Sequence, residues 1–246
     1  MINIIPDNQL KKINYYWQDI LDYKPHDKAY ISQITPDNKL SNSNKIFIYH
    51  INQKSFLKVD PLLCDEVNKF IDDYYFYKTV DTNCFIKQYK NTVCNASINY
   101  IYYLSESNLI HDIFDSKFLI RPLTFSDKEL FENFKHACPK EDFEKTKLGL
   151  SAPLILGCFY NNDLVAIAGL LYLKNDIADI KLFTLKQYRK KGIGKLLSKS
   201  ICLSGLSQNK ILQFKFPKSN IALKKIAEIL GFQLYVVEEN FTLNKK

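Results

Sequence analysis

Three strand-like segments separated by very short polar turns restrict the possible folds of this chain most strongly. The segments span 154–159, 164–173 and 177–184, and the turns are Asn161-Asn162-Asp163 and Lys174-Asn175-Asp176. Connections this short join antiparallel neighbours, because parallel strands need a crossover of a dozen or more residues. The sequence therefore predicts an antiparallel meander here and argues against a βαβ unit.

A regular order of elements surrounds this meander. Strands are predicted at 118–122, 211–216 and 232–237, and helices at 140–147, 192–206 and 220–230. A further helix begins at a predicted capping box made by Ser126 and Glu129. The order β-α-α-β-β-β-α-β-α-β predicts an α+β fold with a mixed sheet.

The first half of the chain has a less regular pattern. Asp7 is placed to cap a helix, strands are expected at 29–34, 45–51 and 99–104, and Asp60-Pro61 opens a helix to about residue 78. The polar stretch 105–116 is the expected boundary. We therefore predict a smaller mixed α/β N-terminal domain over 1–115 and a second domain over 116–246.

Charge divides the chain at the same place. Residues 1–115 carry 12 lysines against 14 acidic side chains, whereas residues 116–246 carry 22 basic against 12 acidic side chains. Such asymmetry indicates a second unit that meets an anionic ligand, although a solvated lysine-rich surface would give the same count. Nucleic-acid binding through this basic unit is the less favoured alternative.

Several classes of protein are not expected from the composition. No apolar run is long enough to cross a bilayer, and the first residues do not resemble a signal peptide. The six cysteines are scattered without a CxxC pair, which argues against a metal site and against a disulfide framework. We expect a cytoplasmic protein with reduced thiols and no membrane partner.

The segment between the third meander strand and the next helix carries the sharpest chemical signal. It reads Arg189-Lys190-Lys191-Gly192-Ile193-Gly194. Glycines let a backbone approach a ligand closely, and a helix start presents unpaired N–H groups and a positive dipole end. Three cations beside them make a site for a pyrophosphate, although a structural turn is the simpler reading of this segment alone. Leu196 and Leu197 exclude the two common glycine-rich nucleotide motifs.

In this context the chain resembles the GCN5-related N-acetyltransferases (GNAT). The pyrophosphate loop of that family, Arg/Gln-x-x-Gly-x-Gly/Ala, is matched by Arg189, Gly192 and Gly194, and a later Asn and Gly-Phe are matched by Asn220 and Gly231-Phe232. The resemblance covers residues 118 to about 242. It implies a GNAT acyl-CoA-binding fold in the second domain.

The resemblance implies acetyl-CoA, or another acyl-CoA, as co-substrate, with no metal. The pantetheine arm would pair with the backbone of Leu182, Phe183 and Thr184, near Asn220. One of the backbone N–H groups near Phe183 would polarise the thioester carbonyl, an oxyanion-hole role. The pyrophosphate would lie on the loop residues, which are Arg189, Lys190, Lys191, Gly192, Ile193, Gly194 and Lys195.

A base is needed because an amine arrives protonated. Asp179 lies on the strand that family members use for a catalytic carboxylate, and the alternative is that it is only a surface carboxylate; Glu141 and Glu144 are weaker candidates. The chain departs from the family at Ala227, where many members have a tyrosine that protonates the thiolate, and at Lys215, where some have a glutamate.

The leading hypothesis is an acyl-CoA-dependent N-acyltransferase, most simply an acetyltransferase, that works by direct attack of an unidentified amine in a ternary complex. The alternative is a non-catalytic acyl-CoA-binding or interaction module. The first half resembles the additional N-terminal domain of a GNAT subgroup, sometimes a degenerate copy of the same fold. It would shape the acceptor site, and a homodimer is compatible with the resemblance.

Overall fold

The computed structural model of the protein describes residues 5–22, 33–74, 79–89, 93–104 and 117–244. The helices are α1 (Asp7–Leu21), α2 (Cys64–Tyr74), α3 (Thr82–Gln88), α4 (Lys128–His136), α5 (Lys140–Glu144), α6 (Ile193–Leu206) and α7 (Ile221–Ile229). The strands are β1 (Gln33–Pro36), β2 (Lys45–Ile51), β3 (Lys54–Val59), β4 (Val93–Leu104), β5 (Leu119–Pro122), β6 (Leu154–Tyr160), β7 (Asp163–Tyr172), β8 (Ile177–Thr184), β9 (Ile211–Pro217) and β10 (Phe232–Leu243).

The chain forms two compact units, and neither is a continuous stretch of sequence. The first comprises Met1–Lys12, Tyr102–Lys215 and Ala222–Gln233, and the second comprises Ile13–Ile101, Phe216–Ile221 and Leu234–Lys246. Strands β4, β9 and β10 each contribute residues to both units. The division at 115/116 stays a prediction, and its boundary stretch 105–116 lies outside the described residues.

The first unit contains the predicted meander. Strands β5, β6, β7 and β8 pair antiparallel in chain order, and β8 pairs with β9 in parallel. Side chains on one face of this sheet pack with those of α4 and α5 in an aromatic-rich core that includes Phe134, Phe143, Ile167 and Phe183. Helix α6 packs against β6, β7 and β8.

The order of elements from β5 to β10 confirms the sequence prediction, while two helix ends differ from it. The capping box lies at Thr124 and Asp127, two residues before the predicted one, and the Thr124 N–H donates to Asp127 Oδ2 over 2.9 Å. Helix α5 ends at Glu144 and not at the predicted residue 147, where Lys147 adopts a left-handed φ of 57° that no helix can continue.

The second unit is built on the β2–β3 hairpin. Strand β1 pairs parallel with β3, and β10 pairs antiparallel with β2 from Val237 opposite His50 to Thr242 opposite Lys45. The core between these strands, α2 and α3 includes Ile48, Phe70 and Phe85. Strand β3 and helix α3 were not predicted, and β10 extends six residues past its predicted end.

All six cysteines are free thiols, and burial raises the pKa of Cys138 and of Cys158 to about 11. In the described residues no cluster of three or more histidine, cysteine, aspartate or glutamate side chains could hold a metal ion. None of the described helices combines the length and the apolar character needed to cross a membrane.

Candidate functional site

Strands β8 and β9 pair for only a short distance. Their parallel register holds three residue pairs, from Ile177 with Ile211 to Asp179 with Gln213. Strand β8 continues to Thr184 and stays paired with β7 over that whole length. From residue 180 onward, one edge of β8 is therefore bonded to β7 while its other edge has no pairing with β9.

The backbone groups of β8 alternate between these two edges. The N–H of Leu185, directly after the strand, donates to the C=O of Val165 over 3.1 Å, on the β7 side. Successive residues of a strand direct their N–H and C=O groups to opposite edges. The groups of Leu182 and Thr184 therefore lie on the unpaired edge, whereas the N–H of Phe183 faces β7.

A glycine turn connects this strand to α6. Gly192 precedes the helix with a φ of 81°, and nothing lies within 4 Å of the place where its Cβ would be. The backbone conformation, and not lack of space, favours glycine there. A Cβ on Gly194 would lie 3.1 Å from Ile226 Cδ1, so close packing against α7 limits that position to a very small residue.

Cationic side chains surround the turn. Arg189, Lys190 and Lys191 are exposed. Arg189 Nε donates to the C=O of Thr184 over 3.1 Å, and the ammonium of Lys191 lies 5.0 Å from the ring centre of Tyr188. Together with the N–H groups of Ile193 and Gly194 in the first turn of α6, they form an electropositive surface next to the unpaired edge.

Asp179 is buried at the last residue pair shared by β8 and β9. Its side chain is 10% exposed, and its Oδ2 lies 2.6 Å from Lys181 Nζ. Its Oδ1 is buried without a hydrogen-bond partner. Both side chains lie on the face of β8 that also carries Phe183 and packs against α4 and α5, since they are two residues apart. A buried carboxylate with one unused oxygen can accept a proton or a hydrogen bond.

A second buried polar pair lies opposite Asp179. Gln213 is the strand partner of Asp179, and its Oε1 accepts a hydrogen bond from the Tyr103 hydroxyl over 2.7 Å. Both residues are almost fully buried. Sequence reasoning missed Lys181, Gln213 and Tyr103. Strand alternation could have indicated Lys181, but no sequence signal links Tyr103 with a residue 110 positions away.

The other predicted residues are placed as follows. Asn220 precedes α7 and belongs to the second unit, so the first unit does not bring it to the loop. Glu141 and Glu144 are exposed on α5. Ala227 is fully buried in α7, which leaves no room for the phenol that many family members carry there.

One arrangement in the second unit has the residue types of a catalytic triad. Ser55 Oγ lies 2.9 Å from His50 Nδ1, and His50 Nε2 lies 3.5 Å from Glu239 Oε2. Ser55 is 1% exposed, and its Oγ also accepts the N–H of Val80 over 3.0 Å. A nucleophile must reach its substrate, so this arrangement is a structural hydrogen-bond network.

The fold matches solved structures over nearly its whole length. An acetyltransferase from the GNAT family of Colwellia psychrerythraea is similar at a TM-score of 0.53 and 13% identity, covering 96% of this chain and 97% of that one. A GCN5-related N-acetyltransferase-like protein from Streptococcus suis is similar at 0.50 and 14%, covering 96% and 99%. The chain has the GNAT fold.

At 13–14% sequence identity, a shared GNAT fold establishes architecture and not activity. A functionally unknown conserved protein from Staphylococcus epidermidis is also similar, at a TM-score of 0.51 and 14% identity, covering 73% of this chain and 78% of that one. No family model matches the sequence, and no curated protein matches it. Any function within the GNAT fold must therefore be argued from this chain's own site.

Proposed function

We propose that this protein is an acyl-CoA-dependent N-acyltransferase, most simply an acetyltransferase, that acts on an amine in a ternary complex. One arrangement carries the proposal. The edge of β8 left unpaired after Asp179 leads directly into a glycine turn and a helix start surrounded by cations. An extended ligand with amide groups and a pyrophosphate would find a strand partner followed by an anion site.

The residues fit acyl-CoA in a specific way. The N–H and C=O of Leu182 and the N–H of Thr184 are on the unpaired edge, so these groups would bond the amides of the pantetheine arm. The C=O of Thr184 already accepts a hydrogen bond from Arg189. The pyrophosphate would lie on the N–H groups of the first turn of α6, close to Lys190 and Lys191.

The N–H group expected to polarise the thioester carbonyl belongs to a neighbour of Phe183 and not to Phe183 itself. The N–H of Phe183 faces β7 and is part of the sheet, so it is not free to approach a ligand. The N–H of Leu182 or of Thr184 would instead donate to the thioester oxygen and stabilise the negative charge that develops there. Phe183 supports the site through its ring, which packs against Phe134 and Phe143.

Asp179 is the proposed base. Acyl-CoA supplies an acyl group activated as a thioester. Asp179 Oδ1 is buried, so it would take a proton from the acceptor ammonium through a water, while Lys181 stays bonded to Oδ2. The neutral amine nitrogen then bonds to the acyl carbon, the C–S bond breaks, and the nitrogen loses its second proton to water to leave a neutral amide. The thiolate takes a proton from water, because position 227 offers an alanine methyl and no phenol.

Two observations favour a second candidate, a domain that binds acyl-CoA without turnover. Ala227 supplies no acid, and Asp179 is already paired with a cation. This reading requires the same binding site and differs only in the absence of product. The enzyme and the binding-only domain are separated by incubating the protein with acetyl-CoA and a broad panel of amines and measuring the release of free thiol.

Binding is the first test of either reading. Wild-type protein at an acetyl-CoA concentration of about 100 times its dissociation constant should gain roughly 2.7 kcal/mol of stability. Gly192→Asp should weaken calorimetric affinity at least about tenfold, because it adds a Cβ at a left-handed residue and a negative charge beside the pyrophosphate. Asn162→Asp is the matched control, since it adds the same charge at an exposed left-handed residue in the same unit. Absence of binding by the wild type would contradict the proposal.

A further inference from the structure

The second unit contains a pocket of about 150 Å³ between α1, the β2–β3 hairpin and β10. Its floor is apolar and is formed by Trp17, Leu21, Ile51 and Phe56, all of them buried. None of its lining residues is among those proposed to bind acyl-CoA. This pocket is therefore separate from the site described above.

Polar side chains on the rim of this pocket form a directed hydrogen-bond chain. The Tyr235 hydroxyl donates to Asn14 Oδ1, and the side chain of Asn52 hydrogen-bonds to Tyr235. Burial raises the pKa of Tyr235, so its phenol stays a neutral donor at physiological pH. This hydrogen-bond chain connects α1, the hairpin turn and β10. Neither bond uses the amide N–H of Asn14 or the amide oxygen of Asn52, and both side chains line the pocket.

The backbone at the hairpin turn supports this arrangement. Asn52 and Gln53 have φ values of 47° and 64°, so both central residues of the turn are left-handed. The second position of such a turn usually carries glycine, and a glutamine there costs about 1–2 kcal/mol. Strain that is retained at the edge of a pocket is a feature often associated with ligand sites.

The size and chemistry of the pocket select a class of ligand. A cavity of about 150 Å³ is large enough for a single ring of the size of benzene. Lys54 is the one charged residue in the lining and, among the described residues, no carboxylate lines it, which disfavours a cationic ligand. Gln18 adds a third carboxamide to the rim, and carboxamides pair with the donor–acceptor edges of planar bases.

We infer that this pocket binds the base of a nucleoside or nucleotide, with the ring against the apolar floor and its polar edge on Asn14 and Asn52. A sugar would fit less well. Stacking on a sugar requires an open aromatic face, and Trp17 is 5% exposed with its ring against those of Tyr16 and Tyr49.

The full-length protein is titrated with adenosine, guanosine, cytidine and uridine in turn. Binding is measured by calorimetry and by NMR chemical shifts. At least one nucleoside should bind. Tyr235→Phe should weaken that binding about tenfold, since it breaks the hydrogen-bond chain that orients both asparagines. Tyr15→Phe is the control, because it removes the hydroxyl of an exposed tyrosine on α1, next to Asn14. Circular dichroism of each variant checks its fold.

Acetyl-CoA itself contains adenine, so the two sites must be separated. Nucleoside binding that persists in Gly192→Asp and weakens in Tyr235→Phe supports the inference, and it does so whether or not acetyl-CoA binds. Binding that is lost in Gly192→Asp but unchanged in Tyr235→Phe places the nucleoside at the loop and overturns it. Binding of no nucleoside, or equal binding of ribose alone, also overturns it.

Discussion

Arginine occurs at only two of the 34 basic positions, and Arg121 makes contacts that a lysine could not reproduce. The two terminal nitrogens of Arg121 bond the two carboxylate oxygens of Asp127 over 2.9 and 2.6 Å, and its guanidinium lies 4.3 Å from the ring centre of Phe159. Arg189 bonds the C=O of Thr184 through Nε. The first arginine fixes the start of α4, and the second borders the proposed cofactor site.

The Arg121–Asp127 pair predicts a pH-dependent stability. Arg121 lowers the pKa of Asp127 to about 2, so this stabilisation is complete above the usual carboxyl pKa near 4 and is lost as the pH falls toward 2. Arg121→Lys should lower the free energy of unfolding by about 1–2 kcal/mol at neutral pH. Urea unfolding at a series of pH values should show this difference shrinking below about pH 4. Lys128→Arg is the control on the exposed surface. If wild type and Arg121→Lys differed in free energy of unfolding by the same amount at both ends of the pH range, the assigned role of the ion pair would be wrong.

Asp179 gives the clearest prediction about catalysis. If it is the base, Asp179→Asn should reduce kcat about 10²–10⁴-fold with little change in the affinity for acetyl-CoA. Steady-state kinetics and calorimetry on the same variant make the comparison, and Asp163→Asn serves as an exposed control. Full activity in Asp179→Asn would remove the assignment.

Lys181 should matter mainly for stability. Lys181→Met leaves a buried carboxylate without its partner, which typically costs about 3–5 kcal/mol. Thermal and urea unfolding measure this loss. The double variant Lys181→Met with Asp179→Leu should recover most of it, because no uncompensated charge remains. Failure of the double variant to recover stability would mean that packing, and not charge, dominates at this position.

At the scale of the elements, strand alternation along β8 decides which backbone groups are available. Leu182→Pro removes an N–H from the unpaired edge, whereas Phe183→Pro removes one that faces β7. Phe183→Ala measures the loss of the buried ring by itself, and we expect Phe183→Pro to be less stable than Phe183→Ala by at least about 1 kcal/mol, the typical net contribution of one ladder hydrogen bond. We expect Leu182→Pro to keep the fold but to lose acetyl-CoA affinity. Thermal unfolding and calorimetry test both expectations, and equal destabilisation of the two variants would contradict the alternation.

The elements that the sequence predicted well are those with local signals. Short turns and continuous apolar runs predicted every element from β5 to β10 in the correct order. Strand β3 and helix α3 were missed because their alternation and helical spacing are weak. Strand β10 is longer than predicted because its second half pairs with β2, a contact that no local pattern records.

The candidate site also has a part that the sequence could predict and a part that it could not. Its loop, from Arg189 to Lys195, is contiguous and could be recognised from residue types alone. The buried pair of Tyr103 and Gln213 depends on two strands that are distant in sequence. The direction of the Phe183 N–H depends on sheet register, which a sequence without pairing information does not specify. Local chemistry was therefore predictable, and its orientation was not.

At the scale of the whole molecule, the polypeptide passes between the two compact units several times, because each unit is made of three separate segments. This connectivity predicts how fragments behave. A fragment of residues 116–246 lacks Tyr103, the partner of Gln213, and lacks β2, the partner of β10. We expect it to lack a cooperative thermal transition and to aggregate through the exposed edge of β10. Circular dichroism and size-exclusion chromatography, with full-length protein as control, test this. A fragment that melts cooperatively and binds acetyl-CoA normally would support a boundary at 115/116.

The short pairing of β8 with β9 has a consequence for how the purified protein behaves. An unpaired strand edge accepts any extended peptide, and a second copy of the chain is the most abundant one in a concentrated sample. The groups proposed to recognise a cofactor are then also a point of self-association. Ligand-free samples should therefore become heterogeneous as concentration rises, and a saturating acyl-CoA would act as a solubilising agent by covering the edge.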